Sequence, residues 1–140
     1  MTSQPQRPAF GTLLTSHMAV ATYQGGQWSK DEIKPVAPLE LSPAAHVLHY
    51  ASTCFEGFKA FRRADGSVHV FRMDRHIQRL RQSARQLVLP EPDAAQVADM
   101  VRAVIHRCRD AGHRGLADRS GKPGVGLLFR RRQAAANSGR

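Results

Sequence analysis

The sequence predicts an α+β fold: an antiparallel sheet of hairpins with two amphipathic helices packed on one face. Turn-forming residues separate β-tolerant segments in the first half of the chain, and apolar residues then recur every three or four positions between residues 74 and 108. Strands that precede helices in this way are typical of the α+β class. A chain of 140 residues and 15.5 kDa can bury the core that one such domain needs.

Two hairpins are predicted in the first half. Residues 18–23 are β-tolerant, GGQ (25–27) supplies a turn, and Trp28 begins the return strand. Prolines at positions 35, 38 and 43 then exclude one long element. The second hairpin pairs a strand over 58–62 with a strand over 67–72, because Ala64-Asp65-Gly66 between them is a strong turn signal.

Two amphipathic helices follow the hairpins. Asp74 is a candidate cap for the first helix, and Pro90 and Pro92 end it. Its predicted core stripe consists of Ile77, Leu80, Ala84 and Leu87. Asp93 stands three residues before Gln96 and predicts the start of the second helix. That helix has its apolar stripe at Val97, Met100, Val101, Val104, Ile105 and Cys108.

The basic charge is concentrated at the C-terminal end. The net charge is +10, yet residues 1–105 contribute only +3 (12 Lys and Arg against 9 Asp and Glu), and residues 106–140 contribute +7 (9 against 2). This last segment has no sustained period, and only GVGLLF within it could form a short strand. It is either a flexible basic tail or the product of a shifted reading frame in GC-rich DNA, and composition does not choose between them. The predicted division is an irregular lead-in (1–16), a domain (17–109) and a divergent basic tail (110–140).

Several classes of protein are excluded at this level. No apolar run approaches the ~18 residues of a membrane span, and the N-terminal segment lacks the apolar core of a signal peptide. Cys54 and Cys108 make no disulfide framework, so the reducing cytoplasm is the expected compartment and Cys54 is interpreted as a buried structural thiol. The seven histidines lack the spacing of a zinc motif, and no metal site is expected.

The stretch HYASTCFEGFKAF (49–61) is the most unusual one. Tyr50 and Phe55 flank small residues, which suits a concave apolar pocket or an ordinary core equally well. Glu56 among apolar neighbours needs a partner, most simply Lys59 or a backbone amide. Gly57 permits a bend, which Glu56 would brace.

Arg79 lies near the edge of the first helix's apolar stripe. It could turn its guanidinium inward toward an anion, or it could be a solvated helix arginine. The pattern alone favours the solvated arginine.

Three motifs in sequence order resemble the branched-chain amino-acid aminotransferases. They are LHYASTCFEGFKAF (48–61), RRADGSVHVFR (62–72) and RLRQSARQLVLP (79–90), and the resemblance extends over about residues 9–109. Members of this family are pyridoxal-phosphate enzymes with the class IV aminotransferase fold. The resemblance therefore implies that the chain corresponds to the N-terminal small domain of that fold.

The resemblance also implies an activity and a site. The activity is reversible transamination of leucine, isoleucine or valine with 2-oxoglutarate, in cytoplasmic homodimers that use pyridoxal 5'-phosphate as electron sink. Arg79 matches the arginine that binds the cofactor phosphate. Tyr50 and Phe55 match the wall that contacts the branched side chain, with Glu56 and Gly57 as structural support.

The chain also departs from the family pattern. The Schiff-base lysine of the family lies in a second, larger domain, and none of Lys30, Lys34, Lys59 and Lys122 has a matching context, so no catalytic residue is assigned. The resemblance stops near Arg109. We therefore expect a fragment that is inactive by itself. The alternatives are a basic nucleic-acid-binding or protein-binding module acting through residues 130–132, or a protein that docks onto an intact aminotransferase subunit.

Overall fold

A computed structural model describes residues 14–110 and the backbone of residues 125–128. The strands are β1 His17–Val20, β2 Tyr23–Gln24, β3 Gln27–Trp28, β4 Glu32–Pro35, β5 Phe55–Phe58, β6 Ala60–Arg62, β7 Val68–Val70 and β8 Val125–Leu128. The helices are α1 His46–Tyr50, α2 Met73–Gln86 and α3 Ala94–Asp110. Most of the predicted lead-in and most of the predicted tail lie outside the described residues.

The first predicted hairpin is confirmed and is longer than expected. Gly25 and Gly26, with φ of 62° and 87°, form the turn between β2 and β3, and the β1–β4 ladder extends the same hairpin away from that turn. Between the two ladders the Ser29 N–H donates to the Thr22 carbonyl (2.8 Å), and the Ser29 hydroxyl accepts from the Thr22 N–H (3.0 Å). A serine side chain thus replaces one backbone acceptor where the ladder is interrupted.

The second hairpin is confirmed over β6 and β7. Asp65 accepts a hydrogen bond from the Ser67 N–H (2.8 Å), and Gly66 adopts φ of 80°, so the turn has the chemistry that the sequence indicates. The strand expected from Phe58 is interrupted, because β5 ends there and β6 begins at Ala60.

The α+β class is confirmed, but its strands form four two-stranded antiparallel ladders within the described residues rather than one continuous sheet. Strand β5 pairs with β8, which places Phe55 opposite Leu128 and Phe58 opposite Val125. The short strand that GVGLLF could form is therefore present.

Helix α2 buries Ile77, Leu80 and Ala84 as predicted. The interpretation of Asp74 as its cap is wrong: Arg72 precedes the helix in a left-handed conformation (φ 50°), and Asp74 already lies in the first turn. Leu87 is also wrongly assigned to the core, since it is 51% exposed. The helix ends at Gln86, and the left-handed φ of Val88 (52°) turns the chain away.

Helix α3 begins as the sequence predicts. The Gln96 N–H donates to the Asp93 carboxylate (2.8 Å), which satisfies one of the unpaired amides of the first turn. The Gln96 side chain donates instead to the Ser29 carbonyl (2.7 Å) and so ties α3 to the first hairpin. The buried side of α3 contains Val97, Met100, Val101, Val104 and Cys108, with Ile105 partly buried beside them.

Both helices pack around one apolar core. Its buried members include Cys54 and Phe58 from the β5 region, with Leu80 from α2, Val101 from α3 and Cys108 near the end of α3. Both cysteines are free, and burial raises the pKa of each thiol. The thiols are therefore protonated at neutral pH and act as small apolar groups, as expected for Cys54.

Replacing Asp93 by alanine is expected to lower the free energy of unfolding by about 1 kcal/mol, because the Gln96 amide loses its acceptor. Asp74→Ala is the matched control: it removes the carboxylate that the sequence nominated as a cap, and no measurable change is expected. Urea unfolding followed by circular dichroism compares the two variants. Equal losses would contradict the assignment of the cap to Asp93.

Candidate functional site

A buried carboxylate joins strand β5 to helix α2. Glu56 is 6% exposed, and its oxygens face the guanidinium of Arg79. The Arg79 Nε–H donates to Oε2 (2.7 Å), and Nη2 donates to Oε1. Two parallel charge-assisted bonds of this kind fix both the distance and the plane of the guanidinium.

His76 provides the third contact. Its Nδ1 lies 2.9 Å from Oε1 of Glu56, and because a carboxylate only accepts, Nδ1 carries the proton and donates. Nδ1 also lies 3.3 Å from Nη2 of Arg79. Both of these atoms are donors, so this contact is not a hydrogen bond. The imidazole also packs against the ring of Phe58, with 5.5 Å between centroids. We call Glu56, His76 and Arg79 the Glu56 cluster.

Local geometry explains why these side chains meet. Alternation along β5 buries Glu56 and Phe58 and leaves Phe55 and Gly57 outward. On α2, residues 76 and 79 are three positions apart and share a face beside the buried stripe. Packing of α2 against β5 therefore brings that face onto the inward carboxylate.

The expected partner of Glu56 was wrong. Lys59 is exposed, whereas the partners of Glu56 are Arg79 and His76. Lys59 follows the end of β5 and is exposed, whereas Glu56 is directed inward from that strand. Sequence reasoning missed His76, although its spacing of three residues from Arg79 was the signal that could have found it.

The bend expected at Gly57 is also absent. Gly57 lies inside β5, outside the left-handed region, and the chain is interrupted at Lys59 instead. The ring of Phe55 lies over Gly57, and its nearest carbon would be 3.4 Å from a Cβ at that position. A Cβ at this position would make an ordinary van der Waals contact with the Phe55 ring, so the packing of that ring does not require glycine.

The two predicted wall residues lie on the surface of the described region. Tyr50 is 73% exposed and Phe55 is 64% exposed. Tyr50 ends α1, a short helix that the sequence did not reveal, and its ring contacts His46 and His49 of the same helix (centroids 5.1 and 6.3 Å apart). His49 bonds the Pro43 carbonyl (2.6 Å). Tyr50 makes no ring contact with Phe55 in the part of the chain that the structure describes.

Arg79 has one edge left for a ligand. Glu56 occupies the Nε and Nη2 edge, while Nη1 finds no acceptor among the described residues and the side chain is 64% exposed. A guanidinium edge of this kind matches the geometry of a phosphate. Arg79 therefore fits the cofactor phosphate that the resemblance assigns to it. None of the three lysines in the described region takes part in the Glu56 cluster.

The cluster keeps Glu56 ionised. The hydrogen bond from Arg79 is the main cause that lowers the pKa of this carboxyl, with His76 adding to it, while burial acts in the opposite direction. The net direction is downward, so Glu56 carries its charge at neutral pH although it is buried.

Acid is therefore expected to destabilise the domain through Glu56. Because the pKa is lower in the folded than in the unfolded chain, the stabilisation is complete above the unfolded value near 4.3 and is lost as the pH falls through the folded value. Thermal midpoints measured from about pH 6 down to pH 3 should fall less steeply for Glu56→Gln than for the wild type. The control Asp99→Asn should follow the wild-type slope, and a Glu56→Gln profile parallel to the wild type would contradict the coupling.

Solved structures define the class of fold. The chain superposes on a T.th. branched-chain amino acid aminotransferase, solved in complex with N-(5'-phosphopyridoxyl)-L-glutamate, with a TM-score of 0.52 and 21% identity. The match covers 69% of this chain and 37% of that one. The described residues thus have the fold of part of a class IV aminotransferase.

Sequence relatives define the family. The chain is 46% identical over 100 residues to the branched-chain-amino-acid aminotransferase of Mycobacterium tuberculosis and 36% identical over 107 residues to branched-chain-amino-acid transaminase 1 of Bacillus subtilis. The chain therefore belongs to the branched-chain-amino-acid aminotransferase family. It spans 27% and 30% of the length of these two relatives. No protein-family model matches it.

Within the described residues, none of the helices combines the length and the hydropathy that crossing a membrane requires.

Proposed function

We propose that this chain forms the small-domain part of a branched-chain-amino-acid aminotransferase and holds the phosphate of pyridoxal 5'-phosphate with Arg79. The observation that carries the proposal is the outer edge of the Arg79 guanidinium, which is exposed and lacks an acceptor within the described residues. The identity of 46% to the Mycobacterium tuberculosis enzyme supports the family activity. The bound cofactor would supply the electron sink of transamination.

Tyr50 and Phe55 would form the apolar wall for a branched side chain. Both rings are exposed in the described region and so could contact a ligand or another part of a complete enzyme. An apolar wall selects by shape, and one methylene changes binding by about 1–3 kcal/mol. Glu56 would brace Arg79, and Gly57 would lie beneath the Phe55 ring as structural support of the wall.

The chain alone would not transaminate. The domain proposed over residues 17–109 has no lysine in the Glu56 cluster, and the chain spans only 27% and 30% of the length of the two relatives. A complete site would need a longer polypeptide. If the homodimer of the family applies, it would also need a second subunit. We place such an enzyme in the cytoplasm.

Two measurements test this function on the full chain. The first incubates it with pyridoxal 5'-phosphate, L-leucine and 2-oxoglutarate and follows glutamate, and no turnover is expected. Turnover together with one stoichiometrically labelled lysine after borohydride reduction would contradict the assignment of an inactive part.

The second measures binding of pyridoxine 5'-phosphate, which lacks the aldehyde that reacts with surface lysines. Arg79→Gln should weaken binding at least about tenfold, because a charge-assisted bidentate contact is lost. Arg75→Gln is the matched control on the same helix and should leave binding unchanged. Equal binding by the wild type and Arg79→Gln would exclude Arg79 as the phosphate ligand.

The relatives described above do not support the alternative of a basic nucleic-acid-binding or protein-binding module. The arginines at positions 130–132, on which that alternative depends, lie outside the described residues.

A further inference from the structure

We propose that Glu56 is a positioning residue: it holds the Nε and Nη2 edge of Arg79 so that the opposite edge is presented to a phosphate group. This role rests on the phosphate-binding function proposed above for Arg79. The role goes beyond structural support of β5. The buried carboxylate would raise the affinity of Arg79 for an anion, although the carboxylate does not touch that anion.

The geometry of the guanidinium carries the first step. Nε and Nη2 lie on one side of the group, and Glu56 accepts from both of them with its two oxygens. The remaining edge consists of Nη1 and the second hydrogen of Nη2. A planar guanidinium can thus bind one carboxylate and one phosphate at the same time, through different edges.

Burial carries the second step. The Glu56 side chain is 7% exposed, and the Arg79 side chain is 64% exposed. The anchor is therefore inside the fold, and the anchored group reaches out of it. A free arginine loses rotamer entropy when it is fixed. Arg79 has already lost much of that freedom, so a ligand that binds it has less ordering to offset.

His76 carries the third step, because it keeps the anchor in place. Its Nδ1–H donates to Glu56 across 2.9 Å, and its ring is held by Phe58. An ionised carboxylate has about four acceptor sites, so Glu56 can accept from His76 and Arg79 together. The carboxylate thus stays bound to α2 by two side chains when an anion approaches.

One effect opposes this role. The negative charge of Glu56 repels an approaching phosphate through the guanidinium. Positioning and repulsion predict opposite results when the charge is removed, so the sign of the change decides between them.

The experiment compares Glu56→Gln and Glu56→Asp in the full chain. Glu56→Gln removes the charge and replaces one acceptor by a donor. Glu56→Asp keeps the charge and withdraws it by one methylene, so the two-point contact is lost. Asp99→Asn is the charge-matched control, since Asp99 pairs with Arg102 on the exposed side of α3. Calorimetry measures binding of pyridoxine 5'-phosphate, and pyridoxine without phosphate reports contacts that do not involve Arg79.

Both Glu56 variants are expected to bind pyridoxine 5'-phosphate roughly three- to tenfold more weakly, which is the effect of one side chain that must be ordered on binding. Asp99→Asn should bind as the wild type does. The Nε–H resonance of Arg79, assigned by its loss in Arg79→Gln, should move in both Glu56 variants toward the position of exposed arginines. Thermal unfolding of each variant sets a temperature at which all of them are folded.

Different results overturn different conclusions. Unchanged or tighter binding by Glu56→Gln, with Arg79→Gln still defective, would overturn the positioning role and leave the phosphate site of Arg79 intact. An Nε–H resonance of Arg79 unchanged in Glu56→Gln would do the same. Binding that does not depend on Arg79, or no binding by the wild type, would overturn the proposed phosphate site and the positioning role with it.

Discussion

Replacing Leu80 by alanine is expected to lower the free energy of unfolding by about 2–5 kcal/mol. Leu80 is 1% exposed and lies in the middle of the buried side of α2. It belongs to the same apolar cluster as Phe58 and Val101, so its removal leaves a cavity between the strand and both helices. The cost exceeds the transfer free energy of the lost methylenes because the surrounding core collapses only in part.

Leu87→Ala is the matched control for this change. The periodicity of α2 treats the two leucines alike, but Leu87 follows the end of the helix and is 51% exposed. Its replacement should change stability by no more than about 0.5 kcal/mol. Urea unfolding with a common slope gives both values. A loss at Leu87 as large as the loss at Leu80 would show that the helix continues beyond Gln86 and buries its next turn.

Replacing Arg79 by alanine is expected to lower the thermal midpoint by roughly 5–15 °C, although Arg79 itself is largely exposed. The reason lies in Glu56, which is buried and would keep only His76 as a partner. Removing one partner of a buried charge lowers the free energy of unfolding far more than removing a surface ion pair does. The effect should diminish toward low pH, where Glu56 can take up a proton.

Arg75→Ala tests whether this loss is specific. Arg75 lies one turn before Arg79 and approaches the exposed Asp74 at 3.8 Å, so its removal should have little effect. The double variant Glu56→Gln with Arg79→Ala should be less destabilised than the sum of the two single variants, because no buried charge is left unpaired. Additive losses would mean that the two side chains do not act as a pair.

Local signals in the sequence were enough for most of the secondary structure. The apolar period of three and four residues marked both long helices, Asp93 marked the start of α3, and Gly25-Gly26 and Asp65-Gly66 marked the two hairpin turns. Each of these features depends on backbone preferences and hydrogen bonds within a few residues. The family could also be recognised, because its motifs keep their order along the chain.

The errors arose where a local pattern had more than one solution. Asp74 has the right residue type for a cap, but the left-handed conformation of Arg72 starts the helix two residues earlier than this cap requires. Leu87 continues the apolar period, but the left-handed conformation of Val88 follows directly after it. Neither conformation is one that its residue type favours, so neither could be predicted from the pattern.

The sequence by itself determined the class of fold, the helical and strand periods, and the family to which the chain belongs. Only the tertiary structure decided what Glu56 and Arg79 do. They are 23 residues apart and lie on different elements, and each had several possible partners. Their pairing follows from the packing of α2 on β5 through Phe58, Ile77 and Leu80, since burying that apolar contact places an inward carboxylate against the helix face that carries His76 and Arg79.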